Sequence, residues 1–209
     1  MDAHGLTSRR SRRRSQAGLA AQEPPLCFAC ALPAERRAAK RLGSTLLVGM
    51  ACAHGVPEQD VVSFGIAGSL RDDLPVGTVI DATRVVDESG AVLWEGQALG
   101  VRGGREGTIL GASAIIDDPA ERARLRARTG ADAVDMESAL FARAGRLAGC
   151  VRAVSDTPGR QLGPLVHAFR PDGTVAPVGL LRAFVGSPRA SYRAVRDVRT
   201  ALRALGSVA

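Results

Sequence analysis

The chain has 209 residues and a formal net charge of +7, with 45% apolar, 23% charged and 3% aromatic residues. This length and composition predict one globular domain with a substantial core and exclude a largely disordered chain. So few aromatic residues argue against a nucleic-acid surface built on base stacking. No apolar run approaches eighteen residues, so no transmembrane segment is predicted.

The first 22 residues carry five arginines and one aspartate, which is a net charge of +4 out of the total of +7. We predict that residues 1–24 form a basic, disordered arm and that residues 25–209 form the domain. A second interpretation of the arm is contact with RNA or anionic lipid. Nothing after Gln22 supports nucleic-acid binding, so none is expected. No apolar h-region follows the arginines, and we therefore expect a cytoplasmic protein.

Short apolar runs bounded by Gly and Pro alternate with amphipathic runs along the rest of the chain, and a Gly-rich loop is predicted at 104–107. This alternation indicates an α/β fold with a mainly parallel mixed sheet flanked by helices. Strands are predicted at residues 26–32, 44–50, 61–66, 78–86, 92–94, 108–116 and 150–154, and helices at 34–42, 118–128, 136–147, 178–184 and 190–205.

Four cysteines lie in apolar surroundings. Cys27 and Cys30 form a C-x-x-C motif, whereas Cys52 and Cys150 stand alone. Zinc sites of this kind need a second such pair or histidines at ligand spacing, and the sequence has neither, so no metal site is predicted. Buried structural thiols are the favoured interpretation, with a redox or metal role as the alternative.

Three segments near predicted strand ends carry candidate functional residues. Glycines in Gly65-Ile-Ala-Gly68 allow close approach of the backbone to a ligand, Asp135-Met-Glu137 precedes a helix, and Ser155-Asp156 ends an apolar strand. Each has an ordinary structural explanation as a turn, a helix cap or a dipole partner. Ligands of such sheets bind beyond the carboxyl ends of the strands, so the combination predicts a site there.

The segments "GADAVDMESALFARAGRLAG" and "VRAVSDTPG" resemble the purine nucleoside and uridine phosphorylase superfamily. "VVSFGIAGSLRDDLPVGTVIDATRVVD" resembles its glycine loop, and "CALPAERRAAKRLG" its N-terminal strand and helix. The nearest match is to the methylthioadenosine/S-adenosylhomocysteine nucleosidases and the hopanoid-associated nucleoside phosphorylases. "FRPDG" and the Arg-rich C-terminal helices resemble the latter.

The resemblance implies a nucleoside phosphorylase-like three-layer α/β/α fold and an enzyme that cleaves the N-glycosidic bond of a purine nucleoside. Cleavage would proceed by phosphorolysis or hydrolysis. The most specific substrate that the resemblance implies is an adenosyl compound of hopanoid side-chain biosynthesis. The resemblance also implies a homodimer or higher homo-oligomer. It implies no metal or organic cofactor. Inorganic phosphate would be a co-substrate if cleavage is phosphorolytic.

Residue roles follow from the same resemblance. Asp156 matches the aspartate that protonates, or hydrogen-bonds, N7 of the departing purine. Glu137 matches the glutamate that binds the ribose 2′-hydroxyl, and Met136 the methionine that packs against the ribose. The remaining predicted binding residues are Ala67 and Gly68 along base and sugar, Ile115 or Ile116 beside the base, and Arg152, which would shape the pocket or assist an anion.

Residues of the N-terminal helix would decide whether water or phosphate is the nucleophile. Glu35 matches the glutamate that helps to activate water in the hydrolytic nucleosidases, and its alternative is an exposed helix position. Arg36 or Arg37 would instead hold phosphate in a phosphorylase, because an anion needs fixed positive charge or free N–H groups. The sequence leaves this choice open.

Two shortened segments depart from the family pattern. Only "ACAHGVPEQ" follows Met50 before the next strand, and its Gly55 and Pro57 disfavour a long helix. The segment before "VRAVSD" is also short, which leaves little slack for placing Asp156. In addition, Ile66 stands where the nucleosidases often have a polar residue.

These departures motivate an alternative hypothesis, a degenerate member of the family that binds a nucleoside or protein partner without turnover. A third hypothesis is a basic RNA- or membrane-surface module formed by the arm and the helix at 190–205.

Overall fold

The computed structural model describes residues 26–168, 170, 172, 174 and 176–208. The predicted arm at residues 1–24 lies outside the described residues. Three residues of the "FRPDG" segment, at positions 169, 171 and 173, also lie outside them.

One mixed sheet forms the centre of the described part of the chain. Five of its neighbouring strand pairs are parallel and three are antiparallel, so the predicted mainly parallel mixed sheet is confirmed. Its strands are β1 (Cys27–Cys30), β2 (Ser44–Leu47), β3 (Val61–Ser69), β4 (Val79–Val86), β5 (Val92–Glu95), β6 (Gly104–Gly111), β7 (Ala133–Asp135) and β8 (Leu147–Asp156).

Five of the strands close into a ring, which the sequence did not predict. β3 pairs with β8, β8 with β4, β4 with β6, β6 with β7, and β7 returns to β3. β1 and β2 extend the sheet from β3, and β5 extends it from β4. Gly68 on β3 is paired with Asp156 of β8 and also with Val134 of β7. Ring closure therefore brings the ends of these three strands together.

Helices cover the sheet, as predicted. Residues Ala201 and Leu205 of the last helix pack with Phe64 and Val151 in one cluster, whereas Phe141 packs in a second cluster with other strand residues. Across the described residues, no helix has the length and apolar content that crossing a bilayer requires. The helices are α1 (Pro33–Ala39), α2 (Pro119–Thr129), α3 (Ser138–Arg143), α4 (Pro177–Gly186) and α5 (Pro188–Gly206), with short 3₁₀ segments at Met50–Cys52 and Gly163–Ala168.

The prediction of a loop at residues 104–107 is wrong, because these residues form the first half of β6 and pair with residues 79–82 of β4. The glycines serve close packing between strands rather than a turn. A Cβ atom on Gly107 would lie 2.9 Å from Cγ2 of Ile80, so no larger residue fits there without a shift.

The helix predicted at residues 136–147 is shorter than expected and ends at Arg143. Gly145 follows with a φ of 66°, a left-handed conformation that glycine adopts without strain. β8 then begins at Leu147, three residues earlier than predicted. This early start gives β8 ten residues, so the strand reaches the ring edge with Asp156 despite the short connection before it.

Candidate active site

A cavity of about 680 Å³, a volume that includes its opening to solvent, lies where the ends of β3, β7 and β8 meet. Residues far apart in the sequence meet there because Gly68 is paired with both neighbouring strands. The cavity lining includes most of the residues singled out from the sequence, namely Glu35, Ala67, Gly68, Ile115, Ile116, Met136, Glu137 and Asp156.

Asp156 lies at one end of the cavity in an ion pair with Arg122 of α2, and both side chains are buried. Arg122 also donates from Nε to the carbonyl oxygen of Ile116 at 2.8 Å and from Nη1 to that of Ser69 at 3.2 Å. Ser155 Oγ donates to Oδ1 of Asp156 at 2.5 Å. Burial raises the pKa of the Asp156 carboxyl, and the Arg122 guanidinium opposes that rise.

Gly68 is the residue that makes room for this ion pair. A Cβ atom there would lie 3.0 Å from Oδ2 of Asp156 and 3.1 Å from Nη2 of Arg122. The second glycine of Gly65-Ile-Ala-Gly68 therefore allows the charged pair to sit against the β3 backbone.

Glu35 of α1 contacts β3 at Ile66, two residues before Gly68. Its Oε1 accepts from the backbone N–H of Ile66 and its Oε2 from that of Leu32, both at 2.8 Å. Gly65 again leaves the space, because a Cβ atom there would lie 2.6 Å from Glu35 Oε1. Burial raises the pKa of the Glu35 carboxyl. Glu35 is therefore a buried cavity residue and not an exposed helix position.

Glu137 lies beside a buried charge cluster. Its Oε1 accepts from the backbone N–H of Ala51 at 2.9 Å, and its Oε2 lies 3.6 Å from Nη2 of Arg152. Burial raises the pKa of Glu137 to about 7, and the negative charge of Asp135 adds to the rise. The side chain can therefore be neutral or ionised near neutral pH.

Arg152 was predicted to bind substrate by shaping the pocket or assisting an anion, and the structure places it outside the cavity lining. It is buried beneath the cavity lining and is not among the residues that line it. Its Nε donates to Oδ2 of Asp135 at 2.7 Å, and its Nη2 donates to Ser63 Oγ at 2.6 Å. Arg152 therefore orients the last residue of β7, Asp135, and is not part of the cavity lining.

The short segment after β2 forms a single tight 3₁₀ turn at Met50–Cys52 and no long helix, as its composition predicts. Gly49 and Ala51 have positive φ angles of 72° and 48°. For Ala51 this left-handed conformation costs on the order of 1 kcal/mol, and it presents the N–H group that Glu137 accepts. Met50 from the same turn lines the cavity. The shortened segment thus contributes to the site.

Arg36 and Arg37, the predicted phosphate-binding alternatives, are exposed and do not line the cavity. Among the described residues that line it, Arg122 is the one cation, and it is already paired with Asp156. The acidic residues in that lining are Glu35, Asp135, Glu137 and Asp156.

Arg122 is the main site residue that the sequence analysis missed. It stands in a charged helix, "PAERARLRART", that suggests a solvated surface. The available signal was spacing, because Arg122 is three residues before the buried Leu125 and so shares its inward helical face.

Burial raises the pKa of Cys30, and it raises the pKa of both Cys52 and Cys150 to about 12. All four thiols are free and buried, Cys27 included, which favours the structural interpretation of the C-x-x-C motif.

Residues 95–186 match the family model described as the phosphorylase superfamily. This segment agrees with the superfamily that the sequence resembles. The matched segment contains Arg122, Asp135, Met136, Glu137 and Asp156, whereas Glu35 and the Gly65–Gly68 segment of β3 lie outside it. No curated protein matches the sequence significantly.

Solved structures share the fold at low sequence identity. The 5′-methylthioadenosine/S-adenosylhomocysteine nucleosidase of Helicobacter pylori, in complex with a pyrrolidinol compound, is 15% identical and has a TM-score of 0.51. That match covers 88% of this chain and 96% of the other. The corresponding nucleosidase of S. pneumoniae, with a transition-state inhibitor, is 14% identical over 85% and 99% of the two chains, with a TM-score of 0.51. The predicted nucleoside phosphorylase-like fold is thus confirmed.

The pKa of Glu137 makes the stability of this fold depend on pH. The folded chain holds a proton on Glu137 up to about pH 7, whereas an ordinary glutamate loses it near 4.5. Because the folded state binds more protons in this range, the free energy of unfolding falls as the pH rises from 4.5 to 7, by up to about 1.4 kcal/mol per pH unit. We expect Glu137→Gln to remove this part of the decline. In urea unfolding, the free energy of unfolding of the variant should therefore rise relative to that of the wild type between pH 5 and pH 8.

Glu58→Gln is the matched control, because Glu58 is exposed and lies outside the cavity. Its stability difference from the wild type should stay constant with pH. Parallel curves for the wild type and Glu137→Gln would contradict the assigned environment of Glu137.

Proposed function

We propose that this chain hydrolyses the N-glycosidic bond of a purine nucleoside. The main support is that Asp156 and Glu137, which the resemblance assigns to base and sugar, line the same cavity as Glu35. The β3 contacts of Asp156 and Glu35 are at Gly68 and Ile66. Gly68 and Ile66 are two strand residues apart, about 7 Å, so the two carboxyl groups contact β3 at separate positions along the cavity.

In this proposal Asp156 is the proton donor to the leaving base. When the bond from C1′ to N9 breaks, its electron pair goes to the purine, which is a poor leaving group as an anion. A proton delivered from Asp156 to N7 neutralises that charge, and general-acid catalysis of this kind contributes about 10²–10⁴-fold. The raised pKa of Asp156 supports this role, because burial favours the protonated carboxyl.

Glu137 and its neighbours would hold the sugar. A carboxylate at the 2′-hydroxyl stabilises the positive charge that develops on an oxocarbenium-like ribose. Oδ1 of Asp135 is buried and has no hydrogen-bond partner among the described residues, so it offers another acceptor at this end. Met136, in the same lining, provides a polarisable surface for the ribose ring.

Glu35 would activate the nucleophile. A water molecule that attacks C1′ must lose a proton, and a carboxylate with a raised pKa is a stronger base than an exposed one. The Glu35 carboxylate is fixed by two backbone N–H groups and has a pKa raised by burial. Its placement beside Ile66, near the Glu137 end, fits the position of the attacking water.

The charge of the cavity favours water over phosphate. A phosphate ion needs fixed positive charge or free N–H groups, and it would meet Glu35, Asp135 and Glu137. Arg152 is engaged by Asp135, and the N–H of Ala51 is engaged by Glu137. Neutral water avoids this repulsion, so phosphorolysis becomes the second possibility for the assay to test.

Adenosyl compounds are the first substrates to examine, because both solved relatives are named for 5′-methylthioadenosine and S-adenosylhomocysteine. Leu32, Met50 and Ile66 give the Glu35 end an apolar wall, which suits an apolar substituent on the sugar. An adenosyl intermediate of hopanoid side-chain biosynthesis is the narrowest candidate. It rests on the sequence resemblance of the C-terminal region alone.

Asp156→Asn tests the proposed acid directly. The amide keeps the size of the side chain but has no acidic proton, so we expect adenine release from a panel of adenosyl compounds to fall by at least about 100-fold. The wild-type rate should be the same with and without phosphate. Asp60→Asn, at an exposed position, should match the wild type.

Equal turnover by the wild type and Asp156→Asn would refute the assigned role, and a rate that requires phosphate would replace hydrolysis with phosphorolysis. Adenine binding in calorimetry without turnover of any compound would favour the non-catalytic alternative.

Arg122→Met tests how the acid is tuned. The guanidinium lowers the pKa of Asp156 against the effect of burial, so its removal should raise that pKa further. Because the reaction needs protonated Asp156, the basic limb of the kcat–pH profile should move to higher pH. Arg124→Met is the matched control, since Arg124 is on the same helix with its side chain 70% exposed. A lower kcat with an unmoved basic limb would show that Arg122 acts only through the fold.

A further inference from the structure

Two adjoining helices near the end of the chain expose large apolar side chains. Val178, Leu181 and Val185 of α4 are 61%, 64% and 76% exposed, and Tyr192 of α5 is 67% exposed. These are four of the seven exposed large apolar side chains in the described part of the chain. Spacings of three, four and seven residues place the three α4 residues on one helical face. Clustering of this kind marks an interaction surface rather than ordinary scattered exposure.

The opposite face of α4 holds the helix to the fold. Ala183 is buried in a cluster with Leu165 and Ala194, and Leu180 packs against the same cluster. Ser191 Oγ of α5 donates to the carbonyl oxygen of Ala183 at 2.8 Å. The exposed apolar face is therefore not needed to attach α4 to the rest of the described chain.

The same two helices expose several arginines. α4 and α5 contain a single acidic residue, Asp197, and it is buried in an ion pair with Arg160. Most of the arginines follow one another at helical spacing along the exposed side of α5. The exposed arginines of the two helices are Arg182, Arg189, Arg193, Arg196, Arg199 and Arg203.

We propose that α4 and α5 dock this protein on the surface of an anionic lipid bilayer. The docking surface is defined as Val178, Leu181, Val185 and Tyr192 together with the six exposed arginines. Its apolar side chains would enter the boundary between headgroups and acyl chains while the arginines bind lipid phosphates, the arrangement of interfacial amphipathic helices.

Charge complementarity selects this partner over two others. A second copy docked through the same surface would bring two sets of arginines together, which is repulsive because Asp197, 3.9 Å from Arg196, is the single acidic residue of the two helices. An RNA partner would satisfy the arginines but would leave Val178, Leu181 and Val185 without apolar contact, and Tyr192 is the one aromatic side chain on the docking surface. An anionic bilayer supplies both the negative charge and the apolar depth.

Vesicle flotation of the full chain tests the proposal. We expect binding to vesicles that contain phosphatidylglycerol and little binding to phosphatidylcholine alone. Binding should weaken as NaCl rises from about 0.1 to 0.5 M, because screening shortens the electrostatic range. The double variant Leu181→Ser/Val185→Ser should bind at least about tenfold less well. Arg182→Gln and Arg189→Gln should each weaken binding by about fivefold.

Val92→Ser is the control, because Val92 of β5 is 50% exposed and lies outside the docking surface. It should bind like the wild type, and unchanged urea unfolding of all variants would show that the fold is kept. Binding without preference for phosphatidylglycerol, or binding unaffected by the helix variants, would overturn the proposal. So would a concentration-dependent dimer in light scattering that Leu181→Ser/Val185→Ser abolishes, or displacement from vesicles by RNA.

Discussion

The ion pair of Arg152 with Asp135 is the interaction on which the Glu35 end of the cavity depends. Both side chains are buried, and Arg152 also lies 3.6 Å from Glu137. A buried guanidinium that lost its partner would cost about 3–5 kcal/mol, so Arg152 of β8 holds the end of β7 in place. Glu137 is then oriented toward the N–H of Ala51, and Gly65 leaves space beside Arg152 for Glu35. One buried charge thus orders three acidic side chains.

Much of this arrangement could be predicted from the sequence, and the rest depends on contacts that no local pattern encodes. Apolar runs predicted the mainly parallel sheet, and the resemblance singled out Asp156, Glu137 and Glu35, which the structure brings to one cavity. Ring closure was missed because β3 and β7 pair across more than sixty residues. Arg122 was missed because its burial depends on Asp156, a contact between distant segments. The homo-oligomer, the cytoplasmic location and the absence of a cofactor stay predictions.

The two ends of the cavity differ in charge, and in the proposed reaction this difference determines which end binds the base and which binds the sugar. At one end Asp156 is paired with Arg122, which also lies 3.7 Å from Asp117, and this partial balance suits a group that must gain and lose a proton. At the other end, carboxyl groups outnumber Arg152, which suits a sugar that becomes positively charged. An anionic nucleophile is disfavoured by the same excess.

A crystal structure with 9-deazaadenosine tests the central claim most directly, because its carbon–carbon link between base and sugar cannot be hydrolysed and its N7 carries a proton. The account predicts that this N7–H donates to Asp156 and that the 2′-hydroxyl lies within hydrogen-bond distance of Glu137. A nucleoside bound outside the cavity, or bound with its sugar against Asp156, would contradict it.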